Sequence, residues 1–154
     1  MSLIPKLIFK ASRLYWRITR PLTLGVRLIL LKEQSVLLVR HTYQTSHWFL
    51  VGGGVKRNEN LTEAARREAR EEVGANLGEL ALLGIYTNYF DYKSDHVVVF
   101  VCDDFMLSGS TDREIEKAEF FPLGNLPENL ASGHRRRIQE YLKNNGNSPI
   151  VSMW

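Results

Sequence analysis

The order of apolar and polar positions predicts a small mixed α/β domain preceded by an amphipathic helix. Ile4, Leu7, Ile8, Ala11, Leu14, Tyr15 and Ile18 fall on one stripe of a helical wheel, with Phe9 and Trp16 beside it. Lys6, Lys10, Arg13 and Arg17 fall on the opposite side. Pro5 suits a first helical turn and Pro21 ends the segment. Residues 23–31 and 36–41 read as two strands joined by a turn, a hairpin. Residues 42–47 form a polar loop, and 48–51 a short strand that runs into Gly52, Gly53 and Gly54. A helix is expected at Leu61–Val73, with Asn60 and Glu63 as a capping box and Gly74 as its C-terminal cap. Strands follow at 79–88 and 96–105; the second holds the run VVVFVC and reads as a central strand covered on both faces. A loop at 106–113, a short strand at 119–123 and a last helix at 132–143 complete the domain. Residues 144–154 are expected as a flexible tail, so the chain divides into an extension (1–21), one domain (22–143) and that tail.

Composition narrows the class. A chain of 154 residues with 44% hydrophobic content holds one domain with a real core. The net charge of +3 suits small anionic ligands and gives no argument for nucleic acid. A lone cysteine, Cys102, excludes an internal disulfide and suits a reducing, cytoplasmic setting; within its apolar run it reads as a buried, inert thiol. No apolar run is long enough to span a bilayer, and Lys6, Lys10, Arg13 and Arg17 interrupt any signal-peptide core. The basic amphipathic segment at 4–18 fits packing on its own domain, packing on a second subunit, or peripheral contact with an anionic membrane. The run Arg135, Arg136, Arg137 reads as a solvated helix face.

The candidate chemistry lies in the helix after the glycines. On its wheel Glu68, Glu71 and Glu72 share a sector beside the apolar residues, while Arg66, Arg67 and Arg70 take the water side. A carboxylate near the core is costly unless it is paired or metal-bound. Hard divalent cations prefer carboxylate and carbonyl oxygens, so the cluster reads as a cation site.

Gly53, Glu59, Arg67, Glu68, Ala69, Glu71, Glu72, Gly74 and Ala75 stand at the spacing G-x5-E-x7-R-E-U-x-E-E-x-G-U. In this the chain resembles the Nudix (MutT-like) hydrolases, with alanine at both positions where the family prefers a bulky aliphatic residue. The resemblance covers about residues 24–141. It implies an α/β/α sandwich around a mixed sheet. It also implies hydrolysis of a nucleoside diphosphate linked to another moiety, with Mg2+ or Mn2+, yielding a nucleoside monophosphate and a phosphorylated product. Glu68 and Glu72 become metal ligands, with the Gly52 carbonyl beside them. Glu71 becomes a ligand or the base that takes a proton from water, and Arg67 orients a catalytic glutamate. Glu59 takes a structural or outer position. Some members add an acid after the long strand, and Glu114 is chosen for that place over Glu116.

Substrate contacts are expected from Arg40, His41 and Lys56 toward phosphates, and from Trp48, Phe49, Tyr86 and Tyr89 toward a base. Lys56 stands where the family commonly has an acid. The partner is then a nucleotide-derived diphosphate. The rival readings are a binding module of the same fold without turnover, and a membrane-peripheral diphosphatase.

Overall fold

The computed structural model describes residues 19–90, 92–109, 113–144 and 148–154. The helix expected over 4–18 lies outside the described residues. Strands β1 (Leu22–Lys32), β2 (Ser35–His41) and β3 (Gln44–Leu50) lead to helix α1 (Leu61–Val73). There follow β4 (Ala75–Leu77), β5 (Ala81–Phe90), β6 (Lys93–Cys102), β7 (Phe105–Leu107), β8 (Ile115–Pro122), α2 (Ser132–Asn144) and β9 (Ile150–Met153). The main sheet runs β3-β2-β1-β6-β5-β9, with β8 on the other edge of β2, and β4 and β7 form a separate pair. The pairing is mixed: β1 runs parallel to β6, and β5 antiparallel to it.

Strict alternation along β1 separates two cores. Val26, Leu28 and Leu30 pack with Ala64, Ala65, Ala69 and Val73 of α1. Ile29 and Leu31 turn to the other face, where Ile138 of α2 packs with Trp48 and Leu130. The molecule is therefore an α/β/α sandwich. The two alanines at the aliphatic box positions, Ala69 and Ala75, are both buried. Ala69 of α1 packs among the larger valines, leucines and Phe100 of the sheet, where a small side chain allows close approach, and Ala75 joins the same cluster from β4.

β1 and β2 pair only at their hairpin end, Leu31↔Val36 and Lys32↔Ser35. Beyond that point the glycine segment takes the vacated edge of β1. Val51 O accepts from Leu28 N at 2.9 Å, Gly53 O from Val26 N at 2.9 Å, and Leu24 O from Val55 N at 2.9 Å. The glycines are thus pinned to the central sheet in front of α1.

Several elements differ from the sequence expectations. Residues 44–47, expected as loop, extend β3; all four are exposed, so no apolar alternation marks them. β6 begins at Lys93, where the half-buried Lys93, Ser94, Asp95 and His96 are polar and carry no apolar period, and β4 and β7 are too short to show one. The segment expected as a flexible tail contributes β9, which pairs in parallel with β5 from Gly84↔Ile150 to Thr87↔Met153. Arg137, expected to be solvated, is 2% exposed. Its guanidinium lies 3.9 Å from the Tyr86 ring centroid and 5.3 Å from that of Trp154, and it donates to Met153 O at 3.0 Å. No helix among the described residues is long and apolar enough to cross a membrane.

Candidate active site

Local sequence chemistry sets the frame. The Asn60 side chain accepts from Glu63 N and the Glu63 carboxylate accepts from Asn60 N, closing a capping box that fixes where α1 starts. Gly74 ends it in the left-handed region at φ 62°. The thirteen residues between carry the acids in a fixed rotation toward the glycine segment.

That segment is built for close approach. Gly52 has φ 132°, and a Cβ there would meet Val26 O at 2.2 Å. A Cβ on Gly53 would sit 2.6 Å from Glu68 Oε1, so the carboxylate occupies the space that a side chain would fill. Gly52 N donates to Glu72 Oε2 at 2.8 Å. Glu72 is 9% exposed, and burial pushes its pKa up to about 7, although the Gly52 N–H and Arg27 favour the carboxylate.

Arg67 does not face water. It donates to Glu59 at 2.6 and 2.9 Å, to Glu68 at 2.6 Å, to Glu71 at 3.0 Å and to Gly54 O at 2.9 Å. Hydrogen bonds from Arg67, and then from Lys56 N, hold the Glu59 carboxyl down to about 2. Arg66 is also turned inward, donating to Leu77 O and Gly78 O, which closes the loop after α1. The wheel placed both arginines in water because it carries no information about the carbonyls of neighbouring loops. Lys56 Nζ lies 3.8 Å from Glu71 Oε1, and both side chains are substantially exposed.

Among the described residues, no three acid, histidine or cysteine side chains converge as a closed metal cage. The donor set still fits a hard divalent ion. Glu68, Glu71 and Glu72 sit within two turns of one helix, the Gly52 backbone is fixed beside Glu72, and Glu72 is a desolvated carboxylate that a cation would stabilise. Such an ion would share Glu68 and Glu71 with Arg67.

The structure brings Glu114 to this cluster. Its backbone O accepts from Thr42 N at 2.9 Å, and its charge acts on Glu72, His41 and Tyr43. Glu116 turns away and pairs with Arg40 at 2.8 Å. Arg40 in turn lies over Trp48, 5.2 Å from the ring centroid. Trp48 is 5% exposed and packs edge-on against Phe121, so its ring is part of the core. Tyr86 is fully buried beneath Arg137. Neither ring offers a face to a ligand. His41 is buried against Tyr43 and Phe49, and burial with nearby Arg27 lowers its pKa.

One residue joins the site that the sequence reading passed over. Arg27 lies on β1, where burial lowers its pKa while Glu72, Glu68, Tyr43 and Asp95 oppose that shift. The signal was present: a single arginine inside an otherwise apolar strand, LGVRLILL, needs a polar purpose. Arg27 lines a cavity of about 280 Å³ with Thr23, Gly25, Gly53, Gly54, Asn88, Lys93 and Asp95. Thr23 Oγ1 donates to Asp95 Oδ1 at 2.7 Å. The cavity therefore runs from the box glycines across β1, β6 and β5. A larger cavity, about 380 Å³, lies between β5, β6 and α2 and contains no box residue.

Known proteins resemble this chain in sequence and in fold. A family model described as the NUDIX domain matches residues 21–141. An ADP-ribose pyrophosphatase of Methanocaldococcus jannaschii is 30% identical over 142 residues, covering 90% of this chain and 83% of the relative. A diphosphoinositol polyphosphate phosphohydrolase 2 of Rattus norvegicus is 31% identical over 132 residues, 79% of this chain and 73% of the relative. The crystal structure of a MutT protein from Methanosarcina mazei superposes with a TM-score of 0.72 at 22% identity, covering 82% of this chain and 96% of that one.

Proposed function

The chain belongs to the Nudix hydrolase family of pyrophosphohydrolases, and from that premise we propose that it is a Mg2+-dependent enzyme that cleaves the pyrophosphate bond of a nucleoside diphosphate linked to a second moiety. The observation that carries this reading is Glu72: a desolvated carboxylate fixed on Gly52 N, one helical turn from Glu68. Divalent ions held by Glu68, Glu72 and the Gly52 carbonyl would neutralise pyrophosphate oxygens and lower the pKa of bound water; Mn2+ suits the same oxygens.

The chain's own residues do the rest. Arg67 holds Glu68 and Glu71 in register with Glu59 and the Gly54 carbonyl, so the acids cannot collapse onto other donors. The water proton passes to Glu71 or to Glu114, the two exposed acids at the rim. The water oxygen bonds to one phosphorus, the bridging P–O bond breaks, and the bridging oxygen leaves on the other phosphate. Lys56, beside Glu71, is placed to meet a phosphate oxygen.

The cavity beside Arg27 supports a finer reading of the substrate. Asp95, Thr23 and Asn88 offer hydrogen-bond partners to hydroxyl groups, Arg27 offers a cation to the adjoining phosphate, and among the described residues no aromatic ring lines the space. A sugar-like moiety fits this lining better than a stacked base does. The name of the M. jannaschii relative points the same way.

The test is a substrate panel with Mg2+: ADP-ribose, a nucleotide sugar, a nucleoside triphosphate and a diphosphoinositol polyphosphate, with products followed by 31P NMR. The expected result is preferred cleavage of the two sugar-linked diphosphates, yielding a nucleoside monophosphate. Turnover should be lost in Glu72→Gln. No turnover on any member of the panel would favour a binding module instead. Activity retained in Glu72→Gln would overturn the site.

A further inference from the structure

Residues paired across a sheet point their side chains to the same face, so strand register maps each face row by row. Val26, Val98, Ile85 and Val151 form one row across β1, β6, β5 and β9. Leu24, His96, Thr87 and Met153 form the next. Leu22, Ser94 and Tyr89 form a third. Helix α1 lies on this face, where Ala64, Ala65 and Ala69 cluster with β1, β2 and the buried Val98 and Phe100 of β6, and no residue of β5 or β9 belongs to the buried part of that cluster.

The remainder is an apolar surface with no cover among the described residues. Val151 is 82% exposed, Leu22 73%, Tyr89 70% and Met153 54%. Between the first turn of α1 and this surface runs a groove of about 400 Å³, lined by Leu61, Leu82, Ile85, Val98 and Phe100. On the opposite face of the same strands, Leu83, Tyr86, Val97 and Val99 pack with Ile138 of α2 and with Trp154.

We propose that this groove and the apolar rows beside it are the docking site of residues 4–18 of the same chain. Three observations select that occupant. The chain is helical at Thr19, Arg20 takes the left-handed conformation at φ 43°, and Pro21 follows. A left-handed residue stops a helix and turns the chain sharply, as folding back onto the following strand requires. Pro21 O then accepts from Ser94 N at 3.1 Å, which places the turn at the edge of this face.

Length fits as well. Fifteen helical residues span about 22 Å at ~1.5 Å each, and four strands at ~4.8 Å spacing place β1 and β9 about 14 Å apart. The stripe of Leu7, Ala11 and Leu14 supplies the apolar complement, and Lys6, Lys10, Arg13 and Arg17 remain on the outer side. Direct covalent connection gives this segment a high effective concentration over any second copy.

Trypsin reads the docking directly, because it cuts after those basic residues. In the full chain, cuts after Lys10, Arg13 and Arg17 should be about tenfold slower than in a synthetic peptide of residues 1–21. Val151→Asp, at an exposed position, should restore the peptide rate without lowering the unfolding temperature of the domain. A wild-type rate equal to the peptide's would overturn the proposal. Cysteines introduced singly at Leu7, Ala11 or Leu14, each with Val151→Cys in a Cys102→Ala background, provide a second measurement. A disulfide within one chain is expected for at least one pair. Disulfide-linked dimers would assign the face to a second copy, and absence of any cross-link would leave the helix elsewhere; either overturns the proposal. So would tryptic protection that arises only on anionic phosphatidylserine vesicles.

Discussion

Glu72 is the residue at which stability and chemistry meet. Burial raises its pKa from 4.5 to about 7. In the metal-free chain folding therefore favours the protonated form. Its stabilising contribution is fully present below about pH 4.5 and is lost as the pH rises through about 7, a swing on the order of 3 kcal/mol. His41 and His134 act with the opposite sign: burial lowers both, so their contribution is present above the ordinary histidine range and lost as the pH falls. Comparison with Glu72→Gln isolates the glutamate. With chelator present, the unfolding temperature of wild type relative to that variant should fall between pH 5 and pH 8. Mg2+ at pH 8 should raise the wild type by binding the native state and leave the variant little changed. A difference that stays flat with pH would refute the account. Gly53 tests the same site from the backbone. A Cβ would lie 2.6 Å from Glu68 Oε1, so Gly53→Ala should displace that carboxylate and weaken Mg2+ binding at least about tenfold, measured by calorimetry.

At the level of elements, α1 is the part written most fully in local chemistry. Asn60, Glu63 and Gly74 set its ends through contacts within a few residues, and the structure shows all three in those places. Its link to the glycine segment depends on Arg67, whose fork reaches three acids and a carbonyl in directions a single ammonium cannot match. Arg67→Lys should lower kcat by about 10- to 100-fold with a smaller change in KM, in steady-state assays at saturating Mg2+. An unchanged kcat would reduce Arg67 to a structural clamp. Helix α2 depends in the same way on Arg137, which joins Tyr86, Trp154, Met153 O and Glu140, the last at 2.8 Å. Arg137→Leu should cost about 3 kcal/mol and loosen β9, seen as lost amide protection at Ile150–Met153 in hydrogen exchange. Retained protection there would show that strand pairing alone holds β9.

For the whole molecule, the cavity beside Arg27 is a product of topology. Thr23 and Arg27 come from β1, Asp95 from β6 and Asn88 from β5, and they meet because β6 pairs with both neighbours. Losing a charged hydrogen-bond partner in such a site costs about 1.5–3 kcal/mol, so Asp95→Ala should raise KM for a sugar-linked diphosphate roughly tenfold or more. A nucleoside triphosphate, which lacks a second sugar beyond its phosphates to place against Asp95, should be affected less. Equal effects on both would move the sugar subsite elsewhere. The same mixed sheet leaves one face half covered by α1, and that inequality gives residues 4–18 a surface to occupy.

The sequence by itself determined the elements whose causes are local or periodic. These are the capped helix Leu61–Val73, the apolar strands, and the acid and glycine spacing by which the chain resembles its family. Such features depend on neighbours within one turn or on a repeating side-chain pattern, and both are visible in a string of residues. Only the tertiary structure decided which polar side chains turn inward and which aromatic rings are spent in the core. Arg67 and Arg137 looked solvated because their partners, Gly54 O and Glu59 for one and Tyr86 and Trp154 for the other, come from separate segments. Trp48 and Tyr86 looked like ligand platforms until packing consumed their faces. β9 stayed hidden because its stability comes from the edge of β5 and from Arg137, not from any period of its own. A hydrogen bond or a buried face is a property of two segments brought together, and the pairing of β1, β6, β5 and β9 brings them together here.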